Sequence, residues 1–481
     1  MNKIKSNIIY NLTYQILVLF VPFITTPYLS RVLGVEGIGK YSYISSVAYY
    51  FFVLITLGLN NYGNRTVAKC ANNTEERNRV FWSIYDMQLI IGIIVTCVYF
   101  LYALFLVDDV YKIYYLAFSP YVISAVFDIN WFYYGLTEFK FTTIRSTIVK
   151  ILSLILIFVF VKTERDLWKY FIIMGSSFLV SNLFLWMKIK KYTSFYRPRL
   201  QEITRHIKPN LILFIPIIAI SIYRIMDKIM ITNLSTIAQN GFYENADKII
   251  TMAVTVFSAI ATVMMPSVSQ LVVRKEHNRI IGLLRDTMEI TMFLGIGMMF
   301  GLIAIANSFA PIFFGKSFIE SGYLIQLLSI VIVLNGWKSV IKSQFLIPYE
   351  KDKVYVVALV LGAIINIVLN FIFIPILGAR GAVVGTVVAE FVGFIIQTYA
   401  LSEAIKIGVL VKDAMPFIPA GIIMFFFVHW VLNRITGILG LTMGIFLGLF
   451  IYLFVVGVIE VIFYRERLLY LLHKYVVKTK K

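Results

Sequence analysis

Apolar stretches long enough to cross a lipid bilayer recur from Ile8 to Tyr464, separated only by short polar runs. A helix needs about 20 apolar residues, at about 1.5 Å each, to span a hydrocarbon core of about 30 Å. Hydrophobic residues make up 60% of the 481 and charged residues only 14%, a balance that no soluble domain core accommodates. The fold class that follows is all-α integral membrane. The first stretch, Ile8 to Arg31, is too long for a signal-peptide core and lacks a small-x-small cleavage site, so it is expected to persist as a helix.

The pattern predicts about fourteen spans, near 8–31, 41–61, 80–106, 112–135, 141–161, 167–189, 209–232, 241–270, 287–309, 321–347, 354–377, 381–403, 414–433 and 439–463. An even number puts both termini on one side. That side, with its alternate loops, holds 29 of the 44 Lys and Arg. The other side holds nine, and six (Lys150, Arg224, Lys228, Lys248, Lys338 and Lys342) fall within spans. The basic side is expected to be the cytoplasm.

The longest connection, Lys188 to Lys208, carries seven basic residues and is expected to lie on anionic headgroups. It suggests an N-terminal lobe over 1–191, a basic cytoplasmic linker over 192–208 and a C-terminal lobe over 209–405. Residues 406–481 add two helices and a basic tail. The halves echo one another: Gly39-Lys40-Tyr41 opens one span and Gly241-Phe242-Tyr243 another. Two pseudo-symmetric six-helix lobes plus two C-terminal helices is the simplest arrangement, and such repeats are a habit of transporters that hold their substrate near the midplane.

Charges within spans are costly and are functional candidates by default. Lys150 lies near a midplane, where its stem cannot easily reach a headgroup. Arg224, Asp227 and Lys228 share one helical face, with Glu244 and Asp247 as candidate partners on the next span. Lys338 sits one turn before Lys342, which is closer to the interface and better placed to snorkel. Arg31 and Arg145 stand at span ends, where anchoring is the alternative to function. Asp128 and Glu390 lie deep, as candidates for ion coupling or as structural partners of a nearby lysine. Prolines inside spans (Pro22, Pro27, Pro120, Pro216, Pro266 and Pro375) permit kinks.

Other chemistry is poorly supported. Gly34 to Lys40 fits the start of a phosphate-binding loop, but Tyr41 replaces the required Ser or Thr. Four scattered histidines form no metal pattern, and Cys70 and Cys97 are expected to be free thiols. No cofactor is implied. The net charge of +19 belongs to membrane-facing loops and calls for no nucleic acid.

Several stretches, in order, carry a family resemblance. They are Ser30-Arg31-Val32-Leu33-Gly34 with Gly37, Gly39 and Tyr41; Tyr62-Gly63-Asn64-Arg65; and Trp131-Phe132-Tyr133-Tyr134-Gly135 with Glu138-Phe139-Lys140. Further along come Met226-Asp227-Lys228, Gly241-Phe242-Tyr243-Glu244-Asn245-Ala246, Met265-Pro266 and Leu377-Gly378-Ala379-Arg380-Gly381-Ala382. Together they resemble the Wzx-type oligosaccharide flippases, in the polysaccharide transporter family of the multidrug/oligosaccharidyl-lipid/polysaccharide exporter superfamily. The resemblance implies two lobes across a cavity, moving an undecaprenyl-pyrophosphate-linked oligosaccharide outward by alternating access for O-antigen or capsule assembly. It also implies a bacterial inner membrane, membrane lipids as partners, and a polysaccharide polymerase with its chain-length machinery.

On that reading Arg31, Arg65, Arg145, Lys150, Arg224 and Lys338 form a cationic lining for the diphosphate. Asp128, Asp227, Glu244, Asp247 and Glu390 are then candidates for ion coupling or gating. A multidrug cation exporter of the same superfamily should instead line its cavity with carboxylates and aromatics, whereas the excess within these spans is positive. A membrane glycosyltransferase or polymerase, the enzymatic alternative, would need long outer loops. A peptidoglycan-precursor flippase or teichoic-acid exporter would share both fold and ligand chemistry.

Overall fold

The structure is a computed structural model that describes residues 2–463, with side chains from Val21 to Ile462. The basic tail expected over Arg465 to Lys481 lies outside the described residues. All regular structure among the described residues is helical. Among the described residues, twelve helices are long and apolar enough to cross a membrane, or thirteen when one bent pair is counted as a span. The chain divides into two compact units after Gly241.

The first unit opens with α1 (Asn2–Thr56), whose 55 residues would measure about 80 Å if straight, far beyond a core of about 30 Å. It is broken at Gly34, whose φ of 67° and ψ of −177° suit a residue without Cβ. The outer loop expected between the first two spans is therefore absent. One glycine turns the chain, and helix resumes through the residues that mimic a phosphate-binding loop. α2 (Leu59–Lys69) and α3 (Thr74–Leu101) follow, the latter capped by Asn73, which accepts a hydrogen bond from the Glu76 amide at 3.2 Å.

The span expected over 112–135 is two helices, α4 (Asp109–Val126) and α5 (Asn130–Gly135), with a break between them. Next come α6 (Phe139–Phe160), α7 (Leu167–Trp186), the short α8 (Leu200–Thr204), α9 (Ile207–Leu234) and the start of α10 (Ile237–Val273). α4 packs on α1 and α7, α2 on α5, and α6 on α1 and α7. The core between α2, α3 and α5 is aromatic, with Phe81, Trp131, Phe132 and Tyr133 fully buried.

α9 packs along α1, and its helix mate α10 begins at a very close crossing. An ideal Cβ on Gly39 would lie 2.0 Å from the Ile237 carbonyl oxygen, and one on Gly241 2.2 Å from that of Val35. The Asn240 side-chain amide donates to the Gly39 carbonyl at 3.1 Å. These contacts hold α9 and the first residues of α10 in the first unit, so the compact boundary falls beyond the basic connection. That connection is itself pinned to α3: Arg77 Nε donates to the Tyr192 carbonyl at 2.8 Å, and Trp82 Nε1 to that of Ser194 at 2.9 Å.

The second unit contains the remainder of α10, α11 (His277–Phe313), α12 (Ile319–Leu328) and α13 (Ile330–Ile341). α12 and α13 form the bent pair, turning by 43°. α14 (Asp352–Leu377) and α15 (Ala379–Leu401) make a tight hairpin through Gly378, at φ 58°. Gly385 lies where a Cβ would come within 2.4 Å of Asn370 Oδ1, and such small residues let membrane helices approach closely. α16 (Ile407–Ala414), α17 (Phe417–Arg434) and α18 (Gly437–Phe463) complete the unit, with α17 and α18 packed on α11.

Candidate functional site

In the first unit, the break between α4 and α5 creates a polar network. Asp128 lies in that break rather than inside a continuous helix, and its Oδ1 accepts from the Asn130 amide at 3.0 Å and from Asn130 Nδ2 at 2.6 Å. A short carboxylate reaching two residues ahead satisfies donors that have no helical partner. Arg145, on α6, donates from Nη2 to Asn130 Oδ1 at 3.1 Å and to Ser146 Oγ at 3.0 Å, and from Nη1 to the Ser181 carbonyl at 2.9 Å. Asn130 thus bridges the carboxylate to the guanidinium. Gln88, on α3, braces the same break, donating to the Ala125 and Asp128 carbonyls at 2.7 and 2.9 Å and accepting from Trp131 Nε1 at 3.1 Å.

Neither Asn130 nor Gln88 stood out in the sequence. The signal for Asn130 was its position two residues after an acid, the spacing of a local side-chain turn. Gln88 had none beyond being an amide inside an apolar span.

In the second unit, Lys338 on α13 forms a hydrogen-bonded ion pair with Glu390 on α15, the two side chains being 13% and 6% exposed. This is the structural pairing that depth alone allowed for Glu390. Lys342 rests on α14, with Nζ 3.2 Å from Tyr355 Oη and 4.4 Å from the ring centroid. Glu244 is buried and pairs with Lys248 one turn later at 3.0 Å.

The remaining candidates are more open. Arg31 on α1, Arg65 on α2 and Arg224 on α9 are exposed, and Lys150 on α6 is half-buried. Asp227 is buried one turn from Arg224, and Asp247 is half-buried. The structure therefore draws Asp128 and Arg145 into one network and Lys338 and Glu390 into one pair. Arg31, Arg65 and Arg224 are left with accessible guanidinium-bearing side chains along the first unit. Further ion pairs between distant parts of the chain went unnoticed in the sequence, among them Arg285 with Asp413, Lys351 with Glu403, and Arg380 with Glu320. Their partners lie 128, 52 and 60 residues apart.

A family model described as polysaccharide biosynthesis protein matches residues 4–272, more than half of the chain. A Shigella dysenteriae protein named "Putative O-antigen transporter" is 23% identical over 380 residues, 77% of this chain and 92% of that protein. An Escherichia coli K12 protein of the same name is 21% identical over 394 residues, covering 81% and 94%. Among solved structures, the lipid II flippase MurJ in an inward closed conformation superposes with a TM-score of 0.71 at 17% identity, covering 92% of this chain and 99% of that one. That likeness establishes the fold.

Proposed function

This chain belongs to the polysaccharide biosynthesis protein family, and from that premise we propose that it is a flippase for a lipid-linked oligosaccharide, not an enzyme. The observation that carries the reading is the likeness to O-antigen transporters over 92% and 94% of their lengths. A sugar chain on a phosphorylated lipid cannot carry its head across hydrocarbon unaided. Fixed cations along a hydrated route compensate the anion without holding it permanently.

Arg224 supports this reading physically. It is exposed some two-thirds of the way along α9, and a guanidinium facing lipid at the centre of a span costs about 2.5–3.5 kcal/mol or more. We therefore propose that Arg224 faces a hydrated route, where water would make its position tolerable. Arg31, Arg65 and Lys150 are proposed to act with it on an undecaprenyl-pyrophosphate head group, in an alternating-access cycle serving O-antigen or capsule assembly. Arg145 and Lys338, each tied to protein partners, are proposed to act only when those partners yield, and Asp128, Asp227, Glu244, Asp247 and Glu390 are the proposed coupling or gating acids.

The topology proposed is fourteen crossings with both termini in the cytoplasm of a bacterial inner membrane. The break at Gly34, which divides an 80 Å helix, supports counting α1 twice. A polysaccharide polymerase and its chain-length machinery are the proposed downstream partners.

The test is a deletion strain in which lipid-linked oligosaccharide is measured on each leaflet. Loss of the gene should trap it on the cytoplasmic side, and the wild-type gene should release it. R224A at equal membrane abundance should restore release by less than a tenth. Normal release by R224A removes Arg224 from the route, and no trapping in the deletion refutes the function.

A further inference from the structure

Helices α6 and α7 leave a fissure along their outer side. Two cavities of about 460 Å³ each open along it and share Val149. Both lips are apolar and exposed: Ile144, Ile148 and Leu152 on α6, and Ile172, Val180 and Phe184 on α7. Side chains of that kind on two spans face hydrocarbon, so the fissure opens to the bilayer.

The two ends of the fissure differ in charge. At one end Lys140, Arg145, Lys188 and Lys191 surround the first cavity against a single acid, Glu138. That leaves three net positive charges. Lys188 Nζ stands 4.4 Å from the centroid of Phe141, which places its ammonium directly over the apolar floor. At the other end Lys169 lines the second cavity, but its Nζ is neutralised by Asp166 at 2.5 Å.

The first cavity runs along α6 from Glu138 to Val149, about 16 Å of helix and half of a core of about 30 Å. A cationic mouth over an apolar slot one leaflet deep has the shape and charge of a site for a single lipid. We propose that it binds an anionic phospholipid of the surrounding membrane. The phosphate sits among Lys140, Lys188 and Lys191, and one acyl chain lies against Phe141, Ile148 and Phe184. A zwitterionic lipid would bring its own ammonium against the lysines and gain less. Basic pockets between membrane helices on the cytoplasmic side commonly take such head groups.

Native mass spectrometry of the purified full-length protein, titrated with phosphatidylglycerol or phosphatidylcholine, tests the site. The wild-type protein should retain one phosphatidylglycerol in preference to phosphatidylcholine. K188A with K191A should weaken that retention about thirtyfold, at about 1 kcal/mol per basic residue near the surface, whereas K188R with K191R should preserve it. I148W, which fills the slot and keeps every charge, should also weaken it, and it carries the test should the alanine pair not fold.

Equal retention of the two lipids, or undiminished phosphatidylglycerol binding in both the alanine pair and I148W, overturns the proposal. Displacement by millimolar inorganic phosphate would reassign the mouth to a soluble anion. Displacement by equimolar polyprenyl phosphate would reassign the slot to a carrier lipid. Either result likewise overturns it, and all of these outcomes are independent of whether the chain proves to be a flippase.

Discussion

Replacing Glu390 with Leu should destabilise the second unit far more than replacing Glu390 and Lys338 together. The pair joins α13 to α15, with the lysine 13% and the carboxylate 6% exposed. Removing one member of a buried ion pair typically costs about 3–5 kcal/mol, because the other charge is left desolvated. Replacing both by apolar groups of similar size is often neutral or even stabilising by about 1–4 kcal/mol. For a unit of this size each kcal/mol moves the melting temperature by about 2–4 °C, so E390L should lower Tm by about 6–20 °C. K338M with E390L should return it to within a few degrees of the wild-type value.

Melting in detergent by intrinsic fluorescence reads the stability, and release of lipid-linked oligosaccharide at matched abundance reads the function. A Tm for E390L within about 2 °C of wild type refutes the argument, since Lys338 would then have another partner as good as Glu390. The double variant separates two roles for the lysine. If the pair is purely structural, the stable double variant transports. If Lys338 leaves Glu390 to meet the substrate, the double variant is folded and inactive.

Two further expectations follow from local geometry. Gly39→Val should sharply reduce membrane abundance, because its Cβ would start 2.0 Å from the Ile237 carbonyl oxygen and overpacking of this kind costs about 1–3 kcal/mol or more. Gly282→Val, where nothing lies within 4 Å of the added Cβ, is the matched control, and equal abundance of the two would refute the close crossing. Cys70 is buried, and that burial, with Glu76 adding to it, pushes its thiol above the ordinary value. The thiolate is the reactive form, so maleimide labelling in a Cys97→Ser background should be slow at neutral pH and reach its half-maximal rate at a higher pH than free cysteine. A midpoint at or below that of free cysteine would refute the burial argument.

The membrane-spanning character and the approximate positions of the helices were legible because a bilayer imposes a length on every apolar run. What interrupts those runs was not. The break before Asn130 and the bend at Ser329 occur within apolar sequence without a glycine or proline at the break itself. Asp128 therefore looked like a charge stranded deep in a helix, when it is the group that makes the break tolerable. Lys338 and Glu390 were each recognisable as deep charges, but their partnership depends on how α13 and α15 cross. The same holds for Gly39 and Gly241. They appear in the sequence as matching openings of two helices, and in the structure they lie at one crossing, each leaving room for the other helix's backbone.

That crossing changes what the family resemblance can mean for function. Gly63 faces Trp131, where an added Cβ would come within 2.6 Å of the ring, and Gly135 faces Val67 at 2.7 Å. Tyr62 shares a 2.6 Å hydrogen bond with His206 Nδ1 at the start of α9. Gly378 turns the α14–α15 hairpin, and Gly381 meets the Phe373 carbonyl. These motif residues are thus committed to bringing helices together, and they specify a scaffold rather than a ligand. Arg31 and Arg65 are informative exceptions, and Arg65 extends from the same motif as Tyr62 and Gly63 yet remains exposed. A rigid α2–α5 contact would hold its guanidinium at a fixed position without using it for packing. Groups that select a particular sugar should therefore be sought among exposed side chains on well-packed helices, where Arg31, Arg65 and Arg224 stand, and not among the motif residues buried beneath them.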